Sequence, residues 1–154
     1  MDVIGPIDLK ASNGHRFILV AIDYFTKWIE AASYCNVTRV VLRFIEKELI
    51  CRYVLPKGII TDNAKNLNNK MMDKLCEQFK INLRNSTPYR PKMNGKVEVA
   101  NKNIKRIIEK MTTKYKDWHE ILPFALHGYR MSVRTSTGAM PFSLVYGMEV
   151  VLPL

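Results

Sequence analysis

The chain has 154 residues, with 24 lysines and arginines, 14 aspartates and glutamates, and a formal net charge of +10. This length favours one domain, and an apolar fraction of 47% argues against a disordered basic tail. No apolar run reaches about 18 residues, which excludes a membrane-spanning helix, and three cysteines without a CxxC pair are typical of reduced thiols in a cytosolic or nuclear protein.

The first third of the chain predicts three neighbouring antiparallel strands. Residues 1–9 are predicted to begin with an extended stretch, which Gly5-Pro6 breaks and the turn signal Ser12-Asn13-Gly14 closes. The apolar run Phe17–Phe25 is typical of a strand covered on both faces, and Trp28–Ser33 predicts the next strand. The period then changes, because apolar residues recur at helical spacing from Val37 to Leu49.

The middle of the chain alternates short strands with a helix. Ile59-Ile60 and Ile81–Leu83 predict two strands, and the apolar spacing over Met71–Phe79 predicts an amphipathic helix between them. Three strands followed by this alternation indicate an α/β fold with a mixed sheet.

The last part of the chain predicts mainly helices. A proline-rich loop at 86–94 precedes a long helix that is predicted to begin at Gly95. The residues 117–120 fit a capping box that opens another helix, which Pro123 would kink or delay. A final helical turn or two is predicted at Pro141–Tyr146.

Most of the net charge lies in one segment. Residues 86–116 contain nine basic and two acidic residues, so they carry +7 of the net +10. This asymmetry is typical of a surface that binds a polyanion, and nucleic acid is the leading candidate. A solvated basic helix face gives the same pattern. The basic residues are Arg90, Lys92, Lys96, Lys102, Lys105, Arg106, Lys110, Lys114 and Lys116.

Three acidic residues lie where a structural element begins or ends. Asp2 lies in the first strand, Asp62 follows the strand at 59–61, and Glu98 lies in the first turn of the long helix. Carboxylate oxygens suit Mg²⁺, and two such ions about 3.5–4 Å apart stabilise the attacking and leaving oxygens of a phosphoryl transfer. Helix caps and solvated acids produce the same pattern, so both interpretations stay open.

Five motifs in chain order allow a closer assignment. They are Asp2–Ile7 (DVIGPI), Phe17–Lys27 (FILVAIDYFTK), Ile60–Asn63 (ITDN), Pro88–Glu98 (PYRPKMNGKVE) and Thr135–Gly147 (TSTGAMPFSLVYG). Together they resemble the integrase catalytic core of Gypsy-type long-terminal-repeat retrotransposons, plant ones in particular, within the retroviral integrase superfamily. The resemblance covers essentially the whole chain, and the 35 residues between Asp62 and Glu98 are a spacing typical of these integrases.

The resemblance implies both a fold and a reaction. The fold would be ribonuclease H-like, an α/β fold with a mixed five-stranded sheet and helices on both faces. Asp2, Asp62 and Glu98 would be catalytic and would bind two Mg²⁺ or Mn²⁺ ions, with Asp2 shared between them. The reaction would be DNA integration: water trims the 3′ ends of the element, and the recessed 3′ hydroxyls then attack target DNA.

The resemblance also implies a DNA-binding surface. In related integrases, lysines four and seven positions after the glutamate contact the DNA end, and the same offsets here give Lys102 and Lys105, on the helix face of Glu98. The loop before the glutamate contacts the DNA end as well. In this chain that loop contains Tyr89, Arg90, Lys92 and Asn94.

The start of the chain departs from the family pattern, in which several strand residues precede the first catalytic aspartate. We therefore expect residues 1–154 to be an integrase catalytic core truncated at its first catalytic strand, without the zinc-binding and C-terminal DNA-binding domains. The expected partners are element and target DNA and further copies of the chain, with no membrane. A nuclear location is expected from the function, although the sequence carries no clear targeting signal.

Two other functions stay open. The truncated start favours a catalytically inactive or domesticated nucleic-acid-binding fragment. A ribonuclease H-like nuclease would need a fourth carboxylate, for which Glu46 and Glu48 on the first helix are the candidates. Among the other polar and aromatic residues, we expect Asp23 to be structural and Trp28 and Trp118 to be packing residues.

Overall fold

The structure is a computed structural model that describes residues 1–37, 40–53, 55–61, 67, 69–85 and 91–147. For residues 91–101 it describes the backbone and not the side chains. Within these residues no helix is both long and apolar enough to cross a membrane.

All five predicted strands are present. They are β1 (Asp2–Ile4), β2 (Phe17–Ile22), β3 (Ile29–Tyr34), β4 (Gly58–Thr61) and β5 (Asn82–Asn85). The first three form an antiparallel sheet in the order β1-β2-β3, and the last two pair in parallel. The Met1 ammonium donates to the Ile60 carbonyl at 2.6 Å, which places the start of β1 beside β4. The described ladders therefore contain both parallel and antiparallel pairs, as predicted.

Five helical segments complete the fold. They are α1 (Val40–Phe44), which continues as a π-helical segment over Ile45–Ile50, then α2 (Lys70–Gln78), α3 (Pro91–Lys114), α4 (Trp118–Arg130) and α5 (Pro141–Tyr146). The side chain of Asn69 caps α2 by accepting hydrogen bonds from the backbone N–H groups of Met71 and Met72, both at 3.1 Å. Each predicted helix is thus present, but α3 starts at a different residue and α4 lacks the predicted capping.

Helix α3 begins four residues earlier than the sequence predicted, at Pro91 instead of Gly95. Proline is tolerated in the first turn of a helix because the N–H that it lacks would have no partner there. The proline therefore marks the helix start and not a loop. As a result, Lys92 and Asn94 lie on the helix and not in the loop to which they were assigned.

Helix α4 begins at Trp118, and Pro123 does not delay its start. Asp117 occupies the capping position, but its side chain makes no capping hydrogen bond. Its backbone, with φ −95° and ψ 31°, is not in the extended region from which a capping side chain reaches the free N–H groups. The predicted capping box is therefore wrong, although the helix boundary is right.

The alternation of side chains along β2 divides the core into two layers. Ile18 and Val20 pack in one cluster with Ile104, Ile108 and other apolar residues of α3 and α4. Leu19 and Ala21 face the other way, into a cluster with α1 and α2. Apolar residues cover both faces of this strand, which explains its continuous apolar run. The prediction of helices on both faces of the sheet is confirmed.

The turn between β2 and β3 shows the structural role predicted for Asp23. Its Oδ1 atom accepts hydrogen bonds from the backbone N–H of Thr26 at 2.7 Å and from the Thr26 hydroxyl at 2.6 Å. An aspartate that bonds to a residue three positions later stabilises a tight turn. Asp23 therefore fixes the hairpin that aligns β2 with β3.

Candidate metal and nucleic-acid site

The register of β1 directs the Asp2 side chain toward helix α3. Asp2 lies opposite Val20 and Ile4 lies opposite Ile18. Directly opposite residues of an antiparallel pair point to the same face of the sheet. Since Val20 and Ile18 pack on the layer formed by α3 and α4, the Asp2 carboxylate is on that side too.

The Asp2 carboxylate forms an ion pair with a lysine of α3. Its Oδ2 atom lies 2.9 Å from Lys105 Nζ, and its Oδ1 atom accepts the backbone N–H of Val3 at 2.8 Å. The aspartate side chain is 21% exposed and the lysine side chain 53%. Ile4, Val20 and Ile104 line the same small recess as the ion pair. One side of the pair is thus apolar, and the other faces water.

The sequence of α3 explains why Lys105 reaches the sheet. Ile104, Ile108 and Met111 form its buried stripe, and Lys105 lies at the border of that stripe. A lysine in this position can lay its hydrocarbon stem along apolar surface while its ammonium contacts a polar group. Position 98 is seven residues earlier, two helical turns or about 10 Å along the axis, on the same face of the helix.

The structure describes the other predicted site residues only in part. Asp62 comes two residues after Ile60, the partner of Met1, and itself lies outside the described residues, as do Tyr89 and Arg90. The structure gives the backbone positions but not the side chains of Lys92, Asn94 and Glu98, all on α3. Among the side chains that are described, no group of three His, Cys, Asp or Glu residues could hold a metal ion.

The Asp2 carboxylate has the donor chemistry of a divalent-cation ligand. Its carboxylate supplies two hard oxygen donors, and one of them already holds a positive charge, the Lys105 ammonium. Hard oxygen ligands of this kind suit Mg²⁺ and Mn²⁺. A site that holds such an ion would need the further carboxylates of Asp62 and Glu98.

The described part of the basic segment is a solvent-facing surface of α3. Its basic side chains are all exposed, and they leave the opposite, apolar side of the helix to the core. On α3 these residues are Lys102, Lys105, Arg106, Lys110 and Lys114, and Lys116 follows just after the helix. A row of exposed cations along one helix fits a nucleic-acid backbone, and this row continues from the ion pair at Asp2.

A buried ionic cluster around Glu30 was not predicted from the sequence. Glu30 is only 4% exposed on β3, and its carboxylate accepts hydrogen bonds from Trp28 Nε1 at 3.0 Å and from the Tyr53 hydroxyl at 2.5 Å. Arg130 Nη2 lies 2.8 Å from Glu30 Oε2, and its guanidinium stacks on the Trp28 ring at 4.3 Å. Burial first, and then the bond to Glu30, raise the pKa of Tyr53.

This cluster bears on the search for a fourth carboxylate. It lines an open cavity of about 450 Å³, and Arg52 on the cavity wall pairs with Glu48 at 3.2 Å. Glu48 is thus paired with Arg52 on the wall of this cavity. The assignment of Glu46 or Glu48 as the fourth carboxylate of a ribonuclease H site stays a prediction.

Comparison with known proteins gives a consistent result. The sequence profile of the family "Integrase core domain" matches residues 1–91. The Gag-Pol polyprotein of avian reticuloendotheliosis virus is 31% identical over 143 residues, which are 92% of this chain and 12% of the polyprotein. The Pol polyprotein of feline endogenous virus ECE1 is 33% identical over 137 residues, which are 87% of this chain and 13% of the polyprotein.

A solved structure supports the fold assignment. The catalytic core domain of BIV integrase superposes with a TM-score of 0.69 over 89% of this chain and 89% of that chain, at 21% sequence identity. This similarity confirms the predicted ribonuclease H-like fold. The chain spans about an eighth of the length of the two polyproteins, so it matches one segment of each.

Proposed function

This chain belongs to the integrase core domain family, and on that premise we propose that it is the catalytic core of a retrotransposon integrase. The proposed reaction is metal-dependent trimming of the 3′ ends of element DNA and their transfer into target DNA. The observation that carries the proposal is the position of Asp2, whose carboxylate faces the basic helix α3 and lies 2.9 Å from Lys105. A carboxylate and the lysine that we propose to bind DNA thus lie at one site.

Three acidic residues are the metal ligands in this proposal. Asp2, Asp62 and Glu98 would together hold two Mg²⁺ or Mn²⁺ ions. When bound, such ions stabilise the charge on the reacting phosphate and activate water or a 3′ hydroxyl as nucleophile. The protein contributes the rigid pairing of β1 with β2, which holds Asp2, and the helix α3, which carries Glu98.

The proposed DNA-binding surface extends from this site along α3. Lys102 and Lys105 would bind phosphates of the DNA end, and Tyr89, Arg90, Lys92 and Asn94 would contact the same DNA from the start of the helix. A homo-oligomer acting in the nucleus is part of the proposal, as is the origin in a Gypsy-type element. The support for that origin is the set of five sequence motifs.

The proposal is tested with a labelled branched DNA, the reverse-reaction substrate of a strand transferase, in Mn²⁺ or Mg²⁺. We expect Glu98→Gln to lower product formation about 100-fold, because it removes one anionic metal ligand. The matched control is Glu109→Gln, which neutralises the other acidic residue of α3 and is expected to keep wild-type activity. Equal, background-level products from all three proteins, with DNA binding intact, would instead support a non-catalytic DNA-binding domain.

The DNA-binding surface is tested through the salt dependence of DNA affinity. We expect Lys102→Ala to lower the slope of log K against log salt by about 0.9, the contribution of one phosphate contact. Lys74→Ala is the control, because Lys74 is an exposed lysine on α2, outside the basic segment. If both variants change the slope equally, or neither changes it, Lys102 is not part of the interface.

A further inference from the structure

The ion pair between Asp2 and Lys105 joins two residues to which the proposed function gives different partners. It assigns Asp2 to a divalent cation and Lys105 to a DNA phosphate. In the structure, however, Asp2 Oδ2 and Lys105 Nζ lie 2.9 Å apart. The Lys105 ammonium therefore contacts one of the two carboxylate oxygens that a metal ion would need as ligands.

The two partners differ in how firmly they are held. Asp2 is fixed by the pairing of β1 with β2 and by the 2.8 Å hydrogen bond that Val3 donates to its Oδ1 atom. Lys105 is 53% exposed at the end of a flexible four-carbon stem, so its ammonium can move into solvent without any change in the helix. If the pair opens, the lysine is the partner that moves.

The strength of the pair also suits an exchange of partners. Ion pairs with this degree of exposure change an equilibrium by only about two- to fivefold. A divalent cation that is held by several carboxylates can displace a lysine that is bound this weakly. A lysine that stayed beside the site without a partner would repel the cation. The released ammonium would then point from the same surface toward the DNA backbone.

We propose that Lys105 is the resident counter-cation of Asp2 in the metal-free protein and that metal binding at Asp2 releases it to bind a DNA phosphate. This inference rests on the proposed function and adds to it a coupling between the two ligands. Because linkage is reciprocal, metal raises DNA affinity through Lys105 by the same factor by which DNA raises metal affinity.

The first test is Mn²⁺ affinity measured by calorimetry without DNA. Lys105→Met removes the competing cation, so it should bind Mn²⁺ about two- to fivefold more tightly than Lys110→Met. Lys110→Met is the matched control, because it removes the same charge from an exposed position of the same helix and, among the described side chains, Lys110 has no ion pair. Lys105→Gln should behave like Lys105→Met. Equal Mn²⁺ affinities at positions 105 and 110 would overturn the inference.

The second test measures the coupling on DNA. A duplex with blocked 3′ ends is titrated at several salt concentrations with and without Mn²⁺. The increase in the log–log slope on adding Mn²⁺ should be smaller in Lys105→Met than in the wild type by about 0.9, the value of one phosphate contact. The same increase in both proteins would show that Lys105 is not released to the DNA.

Asp2→Asn separates this inference from the proposed function. If the wild type does not bind Mn²⁺, or Asp2→Asn binds it equally well, the metal site at Asp2 is wrong and the inference fails with it. If Asp2→Asn weakens Mn²⁺ binding but the variants at positions 105 and 110 bind Mn²⁺ equally, the proposed function stands and only the role of Lys105 fails.

Discussion

Replacing Trp118 by alanine is expected to lower the free energy of unfolding by about 3–5 kcal/mol. Trp118 is fully buried where α4 begins, in the cluster that joins α4 to α3 and β2. Its Nε1–H donates to the Leu9 carbonyl at 2.9 Å, which ties the helix to the loop after β1. The alanine variant loses the packing of the ring and leaves that carbonyl without its partner. Urea unfolding with linear extrapolation measures the change.

Two further variants separate packing from a general effect on α4. Trp118→Phe keeps much of the ring volume and removes the hydrogen bond, so we expect a smaller loss, of about 1–2 kcal/mol. Phe124→Ala removes an aromatic ring of the same helix that is 77% exposed, and it should change the unfolding free energy by less than about 0.5 kcal/mol. Equal losses for Trp118→Ala and Phe124→Ala would contradict the structure.

Replacing Glu30 by leucine is expected to cost a similar amount, about 3–5 kcal/mol. The substitution leaves Trp28 Nε1, the Tyr53 hydroxyl and the Arg130 guanidinium without their carboxylate. Arg130 keeps its hydrogen bonds to the Ile29 carbonyl, at 2.7 and 3.1 Å, and this limits the loss. Most of the cost arises from the unpaired charge and not from a strong attraction in the native pair.

A double-mutant cycle tests that explanation. The variant Glu30→Leu/Arg130→Met removes both charges, and it should be more stable than Glu30→Leu alone, with a coupling energy of about 2 kcal/mol. Glu48→Gln is the control, because Glu48 pairs with the exposed Arg52 and should change stability by less than about 1 kcal/mol. If the double variant is less stable than Glu30→Leu, the unpaired charge is not the cause.

The sequence predicted the elements of the fold because their signals are local. The continuous apolar run of β2 and the helical spacing of apolar residues in α2 and α3 each follow from side chains within one element. The errors arose at helix starts, where the backbone conformation decides which residue begins or caps the helix. Pro91 begins α3 because a helix start tolerates proline, and Asp117 fails to cap α4 because its backbone is not extended.

The site was predictable from the sequence only in part. The spacing of Glu98 and Lys105 correctly places these two positions on one face of α3. The ion pair between Asp2 and Lys105 depends on the register of β1 against β2, which brings together residues 103 positions apart in the chain. The Glu30 cluster likewise joins β3 to α4, and a single buried glutamate in a strand gives no local signal of its partners.

The most direct test of the proposed site is Mn²⁺ binding, measured by calorimetry on the wild type, Asp2→Asn, Asp62→Asn and Glu98→Gln. If the three carboxylates form one site, each variant should bind Mn²⁺ roughly tenfold or more weakly than the wild type, because each loses an anionic oxygen ligand. Glu109→Gln, on the same helix as Glu98, should bind as the wild type does. Wild-type affinity in Asp62→Asn or Glu98→Gln would contradict a shared metal site.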